Sequence, residues 1–287
     1  MPPQQSSNDQ PRIQKTLFIG DSISSNVDIK SLEDATGSSI TSVRAYCSLN
    51  DTTENEVKQA AKFPNRNFQD VTPAELAKDV YNTLVLQAGS EDITNLNTRA
   101  NQSQYMEYFK QEAVISAKNL FQTATNALSG SSTLEKVVIL KQTPRYDPIA
   151  LDPLSLKPAL SELYNNTLTQ EWMDSDYKHK IHIGNHNIEC NGAIREARYR
   201  ETRTGRFDGI HLYGSSGRKA YTKSVLNILK DARVTTEEYD YHQSCPQYRY
   251  QHRQDRHTNY RTHNTVQQLT LPVYNRFSKL ARADQGN

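Results

Sequence analysis

Three residues of this 287-residue chain are of the types that, brought together, carry out acyl transfer: Ser22, Asp208 and His211. A serine hydroxyl attacks a carbonyl at neutral pH when a base takes its proton, and the base needs a third group to fix its tautomer and orientation. Asp208 and His211 stand three apart in Asp208-Gly209-Ile210-His211, a spacing that on a helical turn or tight loop puts both side chains on one side. Ser22 closes the stretch Thr16-Leu17-Phe18-Ile19-Gly20-Asp21-Ser22. That apolar run stops abruptly, as a buried strand does when it delivers a residue to a sheet edge. A Gly-Asp-Ser alone also reads as a turn that caps a helix. The Asp-His pair far along the chain is what gives the serine a chemical reading.

Other clusters suit other chemistry less well. His179, His182, His186 and Cys190 are metal-binding types, but they cross a strand and a loop instead of sharing a helix face. Glu91 and Asp92 with Asp208 would make an acidic cation cluster, yet the histidine beside Asp208 favours the triad. Neither a metal nor a cofactor is therefore expected. Arg195, Arg198, Arg200, Arg203 and Arg206 form a basic run offset by Glu196 and Glu201, read as a solvated face or as a face for an anionic substrate or partner.

The elements that must position Ser22, Asp208 and His211 alternate between strand and helix. Strands are expected from residue 16 up to Gly20-Asp21-Ser22, and at 39–46, 83–89, 137–140 and 180–184. The runs Leu84-Val85-Leu86 and Val137-Val138-Ile139-Leu140 are apolar on both faces. Helices are expected at 26–36 up to Gly37, at 54–62, as a short helix starting at Pro73, and at 105–128, 156–172 and 221–232. Asp208 and His211 fall in a polar loop before the last helix. The pattern predicts an α/β fold, a three-layer α/β/α doubly wound domain on an about five-stranded parallel, flavodoxin-like sheet. In that fold Ser22 sits where a strand gives way to a helix, at the edge where ligands gather.

Composition bounds the rest. Hydrophobic residues make up 35% of the chain, and the mean hydropathy is −0.80, so part of it is expected to stay unpacked. Residues 241–287 hold seven Lys and Arg against two acids, a charge of +5, whereas the whole chain carries +2. Three parts are expected: a disordered N-terminus at 1–14, a folded domain at 15–235, and a basic, disordered Tyr/His/Gln-rich tail at 236–287. Three widely spaced cysteines suggest neither a disulfide framework nor a paired zinc site. With no apolar leader and no run long enough to span a bilayer, an intracellular protein is expected.

Over residues 14–233 the chain resembles the SGNH hydrolases, the GDSL-like esterases and lipases. Gly20-Asp21-Ser22 ends the first strand, Asp208-Gly209-Ile210-His211 with Leu212 precedes the last helix, and Gly89-Ser90-Glu91-Asp92 stands where that family has Gly-x-Asn-Asp. The resemblance implies Ser22 as nucleophile, His211 as general base and Asp208 as its orienting carboxylate, acting without cofactor on a small ester or acylated substrate. It also implies an oxyanion hole, with departures. The family asparagine position holds Glu91, which when ionised cannot donate a hydrogen bond, and Tyr46-Cys47-Ser48-Leu49-Asn50-Asp51 lacks the family glycine. The backbone N–H of Leu49 or Asn50 and the amide of Asn95 are the substitutes in reach, alongside Gly89. The same fold with turnover lost or weakened, a binding module, is the alternative. The chain also resembles domains in proteins encoded by invertebrate mobile elements, some of which pair such a domain with nucleic-acid-binding segments. Arg249, Arg253, Arg256 and Arg261, interleaved with tyrosines, suit single-stranded nucleic acid by phosphate contact and stacking, or else are a merely solvated tail.

Overall fold

A computed structural model describes residues 14–45, 68–95, 102–145, 157–189, 199–201 and 207–244. The helix expected at 54–62 lies outside them. The central element is β1 (Lys15–Gly20), buried from Thr16 through Gly20 because neighbours cover both its faces. It pairs in parallel with β2 (Ser39–Arg44) on one side and β3 (Thr83–Gln87) on the other. β4 (Lys136–Leu140) and β5 (Ile181–Gly184) extend the sheet, also in parallel. The order is β2-β1-β3-β4-β5, the flavodoxin-like arrangement expected of the sequence.

Alternation along the strands divides the core into two layers. Leu17, Ile19, Leu84, Leu86, Val137 and Ile139 face one side. There they meet α2 (Phe68–Leu76), α3 (Ser90–Asn95), α4 (Gln102–Gly130) and α5 (Lys157–Asp174) through Phe68, Ile93, Leu120 and Tyr164. Phe18, Val85, Val138 and Leu140 face the other side, against α1 (Ile29–Thr36) and α6 (Gly214–Ser244) through Leu32, Tyr221, Val225 and Ile228. Helices on both faces of a parallel sheet make this a three-layer α/β/α fold.

Three features depart from the sequence expectation, the first being α6, expected at 221–232, which starts at Gly214 and runs to Ser244, into the stretch expected as the tail. Pro73 does not start a helix but lies inside α2, which begins at Phe68. Burial of Phe68 and Val71 anchors the earlier turns and outweighs the proline's missing N–H. The segment around Asp208 is not a loop but β7 (Phe207–Leu212), antiparallel to the short β6 (Tyr199–Glu201) with an irregular register. The chain divides into two compact units, Met1–Thr236 and Glu237–Asn287. Beyond Ser244 the second lies outside the described residues, including Arg249, Arg253, Arg256 and Arg261 of the proposed nucleic-acid contact. No described helix is long and apolar enough to cross a membrane.

Candidate active site

β1 leaves the sheet between β2 and β3, where successive connections depart in opposite directions and a crevice opens at the carboxyl edge. Each residue of Gly20-Asp21-Ser22 has a distinct part in the turn made there. The Asp21 N–H donates to the Gln87 carbonyl at 3.1 Å, the last tie to β3. Asp21 Oδ1 accepts the Ile23 N–H at 2.9 Å, and the Ser24 hydroxyl donates to the Asp21 carbonyl at 2.7 Å. These bonds fold the chain into a single 3-10 turn at Ser24–Asn26. That turn passes so close to residue 20 that a Cβ there would meet Ser24 Oγ at 2.1 Å. Only glycine fits. Burial pushes the Asp21 carboxyl above its usual range, opposed by the Ile23 N–H, the Ser90 hydroxyl and the charge of His211.

The partner pair comes from β7. In a regular strand residues three apart face opposite sides, so the Asp208–His211 spacing needs a local departure. Gly209 supplies it with φ of +65°, a conformation other residues rarely adopt. Asp208 Oδ1 then accepts the N–H groups of both Ile210 and His211 at 3.0 Å, and the carboxylate turns back on its own backbone. Its second oxygen, Oδ2, lies 2.8 Å from His211 Nδ1. Burial raises the Asp208 carboxyl, but hydrogen bonds from the His211 ring and from the Ile210 and His211 N–H groups outweigh it, and the net position is below the ordinary value. The aspartate is thus held ionised. On the far side of the ring, His211 Nε2 lies 2.9 Å from Ser22 Oγ.

Ser22, His211 and Asp208 therefore form one hydrogen-bonded chain, drawn from the end of β1 and the middle of β7. His211 and Asp208 keep 26% and 19% of their side-chain surface exposed, so the chain is open to a ligand. Of the other sequence-selected residues, Gly89 follows β3 at the same edge with φ of +91°. A Cβ there would collide with the Tyr164 ring at 2.5 Å. Glu91 and Asn95 fall on α3, but their side chains, like the whole of Asn50, lie outside the described residues. Among the described residues no group of three or more His, Cys, Asp or Glu is placed to hold a metal ion. His186 instead bonds Ser224 Oγ at 2.9 Å and packs on the Tyr221 ring.

Some supporting residues escape a reading by residue type. Gln87 is fully buried at the end of β3 and accepts a hydrogen bond from the Tyr221 hydroxyl. Its signal was a lone amide ending the apolar run Thr83-Leu84-Val85-Leu86. Tyr164 donates to the Ala88 carbonyl at 2.9 Å and shapes the bend at Gly89. Tyr199 of β6 donates to the Pro144 carbonyl, which fastens the ribbon carrying His211 to the loop after β4.

No protein-family model matches the chain, and no curated protein matches it. Solved structures do. A carbohydrate acetylesterase family member from Sinorhizobium meliloti is 13% identical, covering 78% of this chain and 100% of that one with a TM-score of 0.49. A lipase from a goat rumen metagenome is 14% identical, covering 75% and 97% with a TM-score of 0.46. A GDSL-like lipase from Bacteroides thetaiotaomicron is 15% identical, covering 76% and 89% with a TM-score of 0.40. Lipases and acetylesterases thus stand among the structural neighbours of this three-layer fold, at low identity.

Proposed function

We propose that this protein is a serine acyl-ester hydrolase of the SGNH type, with Ser22 as nucleophile, His211 as general base and Asp208 as the group that orients it. The observation that carries the reading is the pair of contacts on one imidazole, 2.9 Å to Ser22 Oγ and 2.8 Å to Asp208 Oδ2. With Asp208 ionised, Nδ1 carries the proton and Nε2 is left free to accept one from Ser22. As Oγ bonds the ester carbonyl carbon, its proton passes to Nε2. It then goes to the departing alcohol as the carbon–oxygen bond breaks, which leaves an acyl-serine. Water, deprotonated by the same nitrogen, attacks the acyl carbon; the bond from that carbon to Oγ breaks, Nε2 returns the proton to Oγ, and the carboxylic acid leaves.

The oxyanion formed in each step needs donors. The Ser22 N–H has no acceptor among the described residues and sits next to the attacked carbon, so it is the first donor in this mechanism. Gly89, Asn50 and Asn95 remain the candidates for the others. A missing donor of this kind costs roughly 2.7–4 kcal/mol, so Glu91 in the family asparagine position implies a slower enzyme unless one of them replaces it. Labelling with a fluorophosphonate tests the mechanism. The wild-type protein is expected to gain one adduct on Ser22, lost in Ser22→Ala and strongly slowed in His211→Ala. A folded wild-type protein that takes no label, or an unchanged adduct in Ser22→Ala, contradicts it.

A further inference from the structure

The structure holds a groove of about 720 Å³ between the start of α1 and the start of α6. Both helices begin at the carboxyl edge of the sheet. The groove wall starts at Asn26, four residues after Ser22, and at Tyr213, two after His211. The walls are fastened together, since the Asp28 N–H donates to Thr222 Oγ1 at 3.0 Å across 194 positions of chain.

The groove is cationic. Arg218, Lys219 and Lys223 line it, with the hydroxyls of Ser215 and Thr222 and the ring of Tyr213, which is 57% exposed. The one acid in the lining is Asp28, which already caps α1 by accepting the Ser31 N–H at 3.2 Å. Hydrogen bonds from Ser31, ahead of the charges of Arg218 and Lys30, hold its carboxyl below the usual range. Lys219 and Lys223 have no ion pair or hydrogen bond among the described residues. From Gly214 to Lys230 the sequence has four cations and no acid.

We infer that this groove binds the phosphate group of an ester substrate whose acyl bond lies over Ser22. The inference rests on the hydrolase reading for the fate of the ester, but not for the binding of the anion. Three cations and one acid leave a charge of +2, which matches the −1.5 to −2 of a phosphate monoester at neutral pH. Flexible lysine ammonium groups and two hydroxyls supply donors to a tetrahedral anion. Exposed Tyr213 offers a flat face to the organic part that joins phosphate and ester.

Calorimetry with inorganic phosphate on the full chain carrying Ser22→Ala tests binding apart from turnover. Binding is expected to weaken about tenfold with Lys219→Ala/Lys223→Ala, and to be unchanged with Lys230→Ala, a control on the same helix outside the groove. Equal binding in all three proteins, or none in the parent, overturns the inference. With active protein, the ratio of kcat/KM for an acetylated sugar phosphate to that for the unphosphorylated sugar acetate is expected to fall about tenfold in the double variant. A ratio that stays constant overturns it. If neither ester is hydrolysed while phosphate binding still follows the two lysines, the hydrolase reading fails and the anion groove stands. Retention on phosphatidic acid vesicles that needs both lysines supports a lipid headgroup as the source of the phosphate, and its absence supports a soluble ester.

Discussion

His211 Nε2 lies 2.9 Å from Ser22 Oγ although 189 positions of chain separate the two residues. The contact is possible because β1 ends at the sheet crevice and the β6–β7 ribbon carries His211 across the same edge. The ribbon is held from two sides, by the Tyr199 bond to the Pro144 carbonyl and by α6, which starts at Gly214 directly after it.

Asp208→Asn separates orientation from fold. An amide oxygen at Oδ1 can still accept the Ile210 and His211 N–H groups, so stability is expected to change little. The amide nitrogen then faces Nδ1 and favours the tautomer with its proton on Nε2, where it can no longer accept from Ser22. A fall in kcat of about 10³–10⁴-fold with KM nearly constant is expected, measured by ester hydrolysis alongside thermal unfolding. A variant as active as wild type shows that Asp208 does not orient the base.

Gly20→Ala tests why glycine precedes Asp21-Ser22. The added methyl meets Ser24 Oγ and Cβ at 2.1 and 2.3 Å, atoms locked by the bond to the Asp21 carbonyl. A loss of about 1–3 kcal/mol is expected, read by urea unfolding, and the double variant Gly20→Ala/Ser24→Gly is expected to recover part of it. No recovery places the strain elsewhere than against Ser24.

The apolar runs made the sheet legible, because strands covered on both faces leave near-continuous hydrophobic stretches such as Val137 to Leu140. The faces of α4 and α6 were legible from their periodicity. Asp208 and His211 could be paired by type and spacing, but not placed on a strand. Tyr199-Arg200-Glu201 is too short and polar to read as β6, and the turn that aims His211 depends on φ at Gly209 and on both backbone bonds to Asp208. Pro73 misled for a related reason, since burial of Phe68 and Val71 is a tertiary effect with no local mark. His186 looked like a metal-binding type, whereas its surroundings are the Tyr221 ring and the Ser224 hydroxyl.

Those surroundings make His186 a determinant of acid stability. Burial lowers its pKa to about 4, below the ordinary value of about 6.5. Between these values the unfolded chain binds the proton and the folded one does not, so stability falls as pH drops from about 6.5 to about 4 and this contribution levels off below that. Up to about 3 kcal/mol depends on this group. Urea unfolding of wild type and His186→Gln across that window checks it, and the difference between the two proteins is expected to shrink as pH falls. A difference independent of pH shows that His186 does not titrate in this way.

Formation of an acyl intermediate on Ser22, with His211 as its base, is read by pre-steady-state release of nitrophenol from 4-nitrophenyl acetate. A burst stoichiometric with wild-type protein is expected, and none with Ser22→Ala or His211→Ala. Equal rates of release from all three proteins would contradict it.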